Sequence, residues 1–232
     1  MSRQIAVNLN NKGVLCLKEG KLVEAFDLFR TALMNVSGDV NCPQESFRWS
    51  QTQPASSAPA AIYSVTNNSS STPFMYSSGI NLLSSITAYS LESSVNDTVF
   101  SSIVIFNLAI VYHLKGFECS GSQSRIQFFK AMSLYQKSYM LLVAVGVLKT
   151  ATGNAVVDMV CMSVFNNLAE VCFELSDFSE CQRYFVCLMR FLDSVATYIY
   201  DDDHTSSMLF QAKINFLLNA TLLQEPFLAA AA

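Results

Sequence analysis

The sequence predicts an all-α protein built from three stacked helix pairs and a C-terminal capping helix. Three observations carry this expectation. A triplet of Asn, any residue and a small residue recurs at Asn11-Lys12-Gly13, Asn107-Leu108-Ala109 and Asn167-Leu168-Ala169. Around each triplet apolar residues return at the i, i+3, i+4 spacing of an amphipathic helix. Each such helix is followed, after a turn, by a second with a small residue and an aromatic four positions later: Ala25 and Phe29, Ala131 and Tyr135, Cys181 and Phe185. Helix pairs of this size bury little alone and must stack on neighbours, so one domain over residues 1–232 is expected.

The first pair spans about 5–36. Its helices run from Ile5 to Leu17 and from Leu22 to Val36, joined at Lys18-Glu19-Gly20-Lys21. Gly20 can take the left-handed conformation that ends a helix. Gly13 and Ala25 lack bulk where the helices cross, Phe29 covers the gap, and Ala32 continues the small-residue face. Residues of about 37–94 form an insertion. From Trp49 to Leu91 it holds no charged residue, and Pro54, Pro59 and Pro73 forbid a continuous helix. Ser, Asn, Thr and Pro suit a mobile linker, whereas Ala61–Val65, Phe74–Tyr76 and Ile80–Tyr89 carry the β-branched and aromatic residues of a small hairpin.

The second pair occupies about 95–148. Asn96 or Asp97 would cap a helix over Val99 to Leu114, Lys115-Gly116 would end it, and a long turn from Phe117 through Ser124 would lead to a partner running from about Arg125 or Phe128 to Val147. The third, about 155–199, runs from Ala155 to Leu175, turns at Ser176-Asp177 and continues from Phe178 to Ile199. Asp201-Asp202-Asp203 would cap the last helix, within about 203–224, whose apolar face would cover the open end of the stack.

The pattern Leu9, Gly13, Gly20, Ala25, Phe29, Ala32 resembles the tetratricopeptide repeat. Ala109, Gly116, Ala131 and Tyr135, then Ala169, Phe178, Cys181 and Phe185, are degenerate copies. Gly13, Ala109 and Ala169 lie 96 and 60 residues apart, so insertions interrupt the array. The phrases Ile105–Ala109, Phe165–Ala169 and Phe216–Asn219 resemble tetratricopeptide-like proteins of diatoms, a group that implies a fold and no biochemical role. The resemblance implies a right-handed stack with a concave groove, lined by the first helix of each pair, that binds a protein or peptide. Asn11, Asn107 and Asn167 share one position on those helices, and an Asn amide both donates to and accepts from a peptide backbone. The same residues could instead bridge neighbouring pairs. One subset of the family grips chaperone C-terminal carboxylates with Lys, Asn and Arg; the corresponding places here hold Asn10, Val14, Ser163 and Asn167, so that partner is disfavoured.

Composition bears on function by exclusion. Net charge is −4 and no Lys/Arg cluster exceeds isolated pairs, which argues against nucleic acid and anionic membrane surfaces. Hydrophobic residues make up 51% and mean hydropathy is +0.32. The most apolar runs, Ser101 to Leu114 and Tyr139 to Leu148, fall short of the roughly 20 residues of a membrane span. The start, Met1-Ser2-Arg3-Gln4, leads into an amphipathic helix without a signal-type apolar region, and seven Cys, an odd number, suit reduced thiols in the cytoplasm or nucleus. Catalysis has little to draw on: His113 sits on an apolar helix, and His204 beside Asp201–Asp203 reads as part of a helix cap more readily than as a metal site. Cys16, Cys172 and Cys181 read as small core residues. No catalytic residue, metal or cofactor is expected, and an enzyme is the least favoured reading. A non-catalytic binding scaffold comes first; the second is a self-closed structural or regulatory domain whose own 49–91 segment occupies the groove.

Overall fold

The computed structural model describes residues 2–37, 76–77, 79–82, 93–148, 151–196, 214–217 and 219. Six helices follow one another: α1 (Ser2–Lys18), α2 (Leu22–Ser37), α3 (Ser93–Glu118), α4 (Gly121–Ala144), α5 (Ala155–Glu174) and α6 (Phe178–Ala196). A further helical stretch includes 214–217. The described residues are all-helical apart from turns and the segment 76–82, which carries no strand assignment. The rest of the expected hairpin, the Asp201–Asp203 and His204 group, and most of the expected capping helix lie outside the described residues.

Packing is sequential. The closest partners are α1 with α2, α3 with α4 and α5 with α6; α2 then rests on α3, and α4 on α5. Contacts also run from α1 to α3 and from α3 to α5, so the first helices of the three pairs stand side by side. A continuous core joins them, including Phe29, Phe106, Ile110, Tyr135, Leu168 and Phe185, all fully buried. At about 1.5–3 kcal/mol for each large apolar side chain removed from water, this core outweighs any local helix propensity.

Small residues set the closeness of the pairs. A Cβ on Gly13 would stand 2.6 Å from the Phe29 ring, which occupies the space the glycine leaves. Ala25, Ala32, Ala109, Ala131 and Ala169 are likewise buried without residual exposure. Gly116 departs from expectation. It does not end its helix but lies within α3, where its missing side chain admits the Phe128 ring, also 2.6 Å from a notional Cβ. Aromatic packing around Gly116 thus sustains α3 to Glu118, and the turn shrinks to Cys119-Ser120 in place of the long one expected over Phe117–Ser124. Asn96 and Asp97 are not caps either, because α3 begins at Ser93 and places them inside it. Phe178 is the other correction: it opens α6 and is 47% exposed, resting edge-on against Phe173 instead of filling the core.

Two turns share one mechanism. Gly20 adopts φ +72°; its N–H donates to the Leu17 carbonyl at 3.0 Å, and the Lys21 N–H donates to Cys16 at 2.9 Å. Those two bonds satisfy carbonyls that the end of α1 would otherwise leave open. Ser176 repeats the geometry at the end of α5 with φ +63°, and the Asp177 N–H reaches the Cys172 carbonyl at 2.8 Å. At its other end α5 is capped by Asn154, whose side chain accepts from the N–H groups of Val156 and Val157.

The Val95–Glu118 part of α3 and the whole of α5, 24 and 20 residues, are long and apolar enough to cross a membrane, which uninterrupted apolar runs in the sequence did not reveal. Their most apolar windows are 72% and 89% buried within the protein, so the neighbouring helices use those faces. The thiols follow the same burial. Cys161, Cys172 and Cys181 are enclosed, and desolvation raises all three, with Cys172 and Cys181 pushed up to about 12. Among the described thiols, alkylation of the native protein at pH 8 followed by peptide mapping is expected to label the half-buried Cys119 and Cys187 and to leave Cys161, Cys172 and Cys181 unmodified until denaturant is added.

Candidate functional site

Asn11, Asn107 and Asn167 stand on α1, α3 and α5, the three side-by-side helices. Each binds the main chain of one residue in the segment 76–82, and each does so twice. The Leu82 N–H donates to Asn11 Oδ1 at 2.7 Å, and Asn11 Nδ2 donates to the Leu82 carbonyl at 2.8 Å. The Ile80 N–H donates to Asn107 Oδ1 at 2.8 Å, with Asn107 Nδ2 returning to the Ile80 carbonyl at 2.9 Å. The Tyr76 N–H and carbonyl pair in the same way with Asn167, at 2.8 and 3.1 Å.

The stereochemistry of this pairing is selective. In an extended backbone the N–H and C=O of one residue point the same way, as they do in a narrow pair of an antiparallel ladder. A carboxamide presents the complementary acceptor and donor, so it stands in for one residue of a neighbouring strand. In a helix the two groups point in opposite directions, and the double bond could not form. Residues 76, 80 and 82 share one parity, as an extended chain with a two-residue period requires. Two residues of extended chain cover about 7 Å, so Ile80 and Leu82 can meet amides on neighbouring helices.

Side chains add to the main-chain bonds. Ile80 and Leu82 are buried, and Asn81 between them is exposed. Gly79 passes close to α1, where a Cβ would lie 3.0 Å and 3.3 Å from the two Val14 methyl groups. The Tyr76 ring packs on Phe216, with centroids 5.5 Å apart, and burial pushes its phenol up to about 12. The segment runs against chain order, its start on α5 and its end on α1.

A second layer of polar groups fixes the three amides. Asn10 Nδ2 donates to Asn11 Oδ1 and to the Ile80 carbonyl, and its Oδ1 accepts from Asn107 Nδ2 at 2.8 Å. Asn107 therefore both holds the segment and bridges α3 to α1. Asn166 Nδ2 donates to Asn167 Oδ1, and Asn166 Oδ1 accepts from Asn219 Nδ2. Asn167 Nδ2 also donates to the Tyr135 hydroxyl at 3.0 Å. Asn10, Asn107, Asn166 and Asn167 are essentially unexposed, where an amide without partners would cost roughly 1–3 kcal/mol per unsatisfied group. The doublets Asn10-Asn11 and Asn166-Asn167 were the sequence signal for this layer. Tyr135 stood out in the sequence for packing, and its hydroxyl role had no signal of its own.

His113 closes the network from behind. Its Nδ1 lies 3.3 Å from the Tyr135 oxygen, and its ring is packed by Phe117, Phe128 and Tyr135. Because the Tyr135 oxygen already accepts from Asn167, its proton is free to donate to Nδ1, which requires neutral imidazole. Nε2 is buried and has no hydrogen-bond partner among the described residues. Burial accordingly pushes His113 down to about 3. Between pH 6.5 and about 3 the unfolded chain takes up a proton here that the folded chain does not, so stability falls by about 1.4 kcal/mol for each pH unit lost. Glu174, whose carboxyl is raised by burial, acts in the opposite direction, since a raised acid contributes most at low pH. Urea titrations at pH 6.5 and 4.5 are expected to show the parent losing about 2–3 kcal/mol more than His113→Gln, in which Glu174 is unchanged.

Among the described residues no three His, Cys, Asp or Glu side chains gather as metal ligands. No protein-family model matches the sequence, and no match was found among curated proteins or solved structures.

Proposed function

We propose that the chain is a non-catalytic, tetratricopeptide-like domain, a right-handed stack whose groove along α1, α3 and α5 holds extended peptide, and that its resting occupant is its own segment 76–82. The observation that carries this reading is the threefold double bonding of Asn11, Asn107 and Asn167 to single residues of an extended main chain. Three equivalent helices offering the same side chain to the same kind of group is what a peptide-holding array needs. It supports the self-closed reading over the open scaffold, because the atoms a partner would use are already paired. The strap is then structural in the closed state and regulatory wherever a partner competes for the groove. Neutral amides stand where a carboxylate-gripping groove would carry cations, so chaperone tails remain disfavoured as partners. With reduced thiols, the cytoplasm or nucleus is the proposed setting.

Amide hydrogen exchange tests the closed state. The Tyr76, Ile80 and Leu82 amides are expected to exchange at least about a hundredfold more slowly than in the free peptide, as opening must precede exchange. Exchange of all three at the free-peptide rate, with the core amides still protected, would reject the reading.

A further inference from the structure

We propose that the groove also accepts, in trans, an uncharged extended peptide that carries an aromatic residue, Gly three positions later, then Ile or Val, one outward-facing residue and Leu, and that displaces the strap. This inference rests on the self-closed reading and adds the identity of what opens it. The pattern follows from the strap's own contacts. The Ile80 and Leu82 positions are enclosed and take branched apolar side chains, and the Asn81 position faces outward and is unconstrained. The Gly79 position disfavours a larger side chain, because its notional Cβ already lies 3.0 Å from Val14 and 3.4 Å from Leu17, and Val14 would have to shift by a few tenths of an ångström for a methyl alone. The Tyr76 position takes a ring against Phe216.

Charge is excluded by the walls. Among the described residues, the polar side chains bonded to the segment are the amides of Asn10, Asn11, Asn107 and Asn167, with Asn166 and Tyr135 behind them. None of them neutralises a buried ion, and an unpaired charge at an enclosed position costs several kcal/mol. The strap meets the same condition, since no residue from Trp49 to Leu91 is charged.

The strap competes at the effective concentration of a tethered ligand, on the order of millimolar. A peptide with equal contacts therefore binds the closed chain weakly, and its apparent affinity rises in proportion to the fraction of molecules with an open groove.

The test uses the full chain and a fluorescein-labelled peptide copying residues 74–84. The variant Ile80→Ser/Leu82→Ser, with its helical circular dichroism intact, is expected to bind this peptide at least about thirtyfold more tightly than the parent. Leu in place of the peptide's Gly, or N-methylation at its Ile nitrogen, is expected to weaken binding at least about tenfold, whereas Ala at the Asn81 position changes it less than about twofold. Should the variant fail to fold, the parent chain with millimolar peptide serves: its Leu82 amide is expected to exchange faster as the strap leaves, while core amides in α3 do not change. A scrambled peptide that binds as well, equal affinity for folded variant and parent, or a Leu82 amide unaffected by saturating peptide would overturn the inference. If Tyr76, Ile80 and Leu82 are protected in the free chain and no peptide binds, this inference falls and the self-closed reading stands; if they are unprotected, that reading itself fails.

Discussion

Asn107→Leu is expected to lower the free energy of unfolding by about 3–5 kcal/mol and to release the strap. The substitution keeps the side-chain volume close to constant, so the loss is one of partners and not of packing. It strands the Ile80 N–H and the Asn10 carboxamide oxygen, both buried, and leaves the Ile80 carbonyl with Asn10 Nδ2 as its remaining donor. At roughly 1–3 kcal/mol per orphaned buried group, keeping the strap in place costs more than letting it go. Detachment then caps the loss, and its signature is local: cleavage within 49–91 by a non-specific protease should accelerate well before global unfolding. Asn11→Leu, at a half-exposed position, should cost less than half as much, since water can replace the lost partners. An Asn107→Leu protein as stable and as protease-resistant as the parent would mean that the strap contributes nothing to stability, and equal losses from the two substitutions would mean that burial does not set the size of the effect.

Gly13→Ala tests the helix crossing, and here two terms of opposite sign compete. In an exposed helix, replacing Gly by Ala stabilises by about 1 kcal/mol. At this position the added methyl would sit 2.6 Å from the Phe29 ring, well inside contact distance, and Phe29 is itself fully buried. Ring displacement in a closed core costs about 1–3 kcal/mol, with loss of packing in the neighbouring layer added to it. The net expectation is destabilisation by about 2 kcal/mol in equilibrium denaturation. Gly13→Ala combined with Phe29→Leu should be markedly less than additive, because the smaller side chain vacates the space the methyl needs. A stabilised Gly13→Ala protein would contradict this account of the crossing.

What the sequence made legible tracks the range over which each signal acts. The helix spans of the first and third pairs and the Gly20 turn are local matters, written in periodicity and a single residue, and the structure follows them closely. The second pair was harder. Lys115-Gly116 looks like a helix terminus, yet Gly116 is small because Phe128, twelve residues on, must reach it. A residue's smallness for packing and its freedom in backbone angle leave the same letter in the sequence. Ser176 shows the converse, a left-handed turn at a residue with no glycine to announce it. For the three amides that hold the segment, the shared position of Asn11, Asn107 and Asn167 was visible as a repeat. The residues they hold were not, because Tyr76, Ile80 and Leu82 lie in a stretch whose composition equally suits a mobile linker. The bonds that pair them span 91, 27 and 71 positions, beyond the reach of any local pattern.

Those separations bear on the order of events as the chain is made. Synthesis proceeds from the N-terminus, so when residues 76–82 leave the ribosome, α1 and α2 are the ones of the six helices already made. The Leu82 contact has a partner at once, the Ile80 contact waits for α3, and the Tyr76 contact waits for α5. Long-range contacts of this kind form late, after the loops they close have been compensated by other structure. The strap is therefore a latch that shuts from one end to the other, its last bond possible only in a molecule whose third pair is already translated. A chain truncated before α5 would carry its strap half fastened, and the loose end would present Tyr76 to whatever the cell offers.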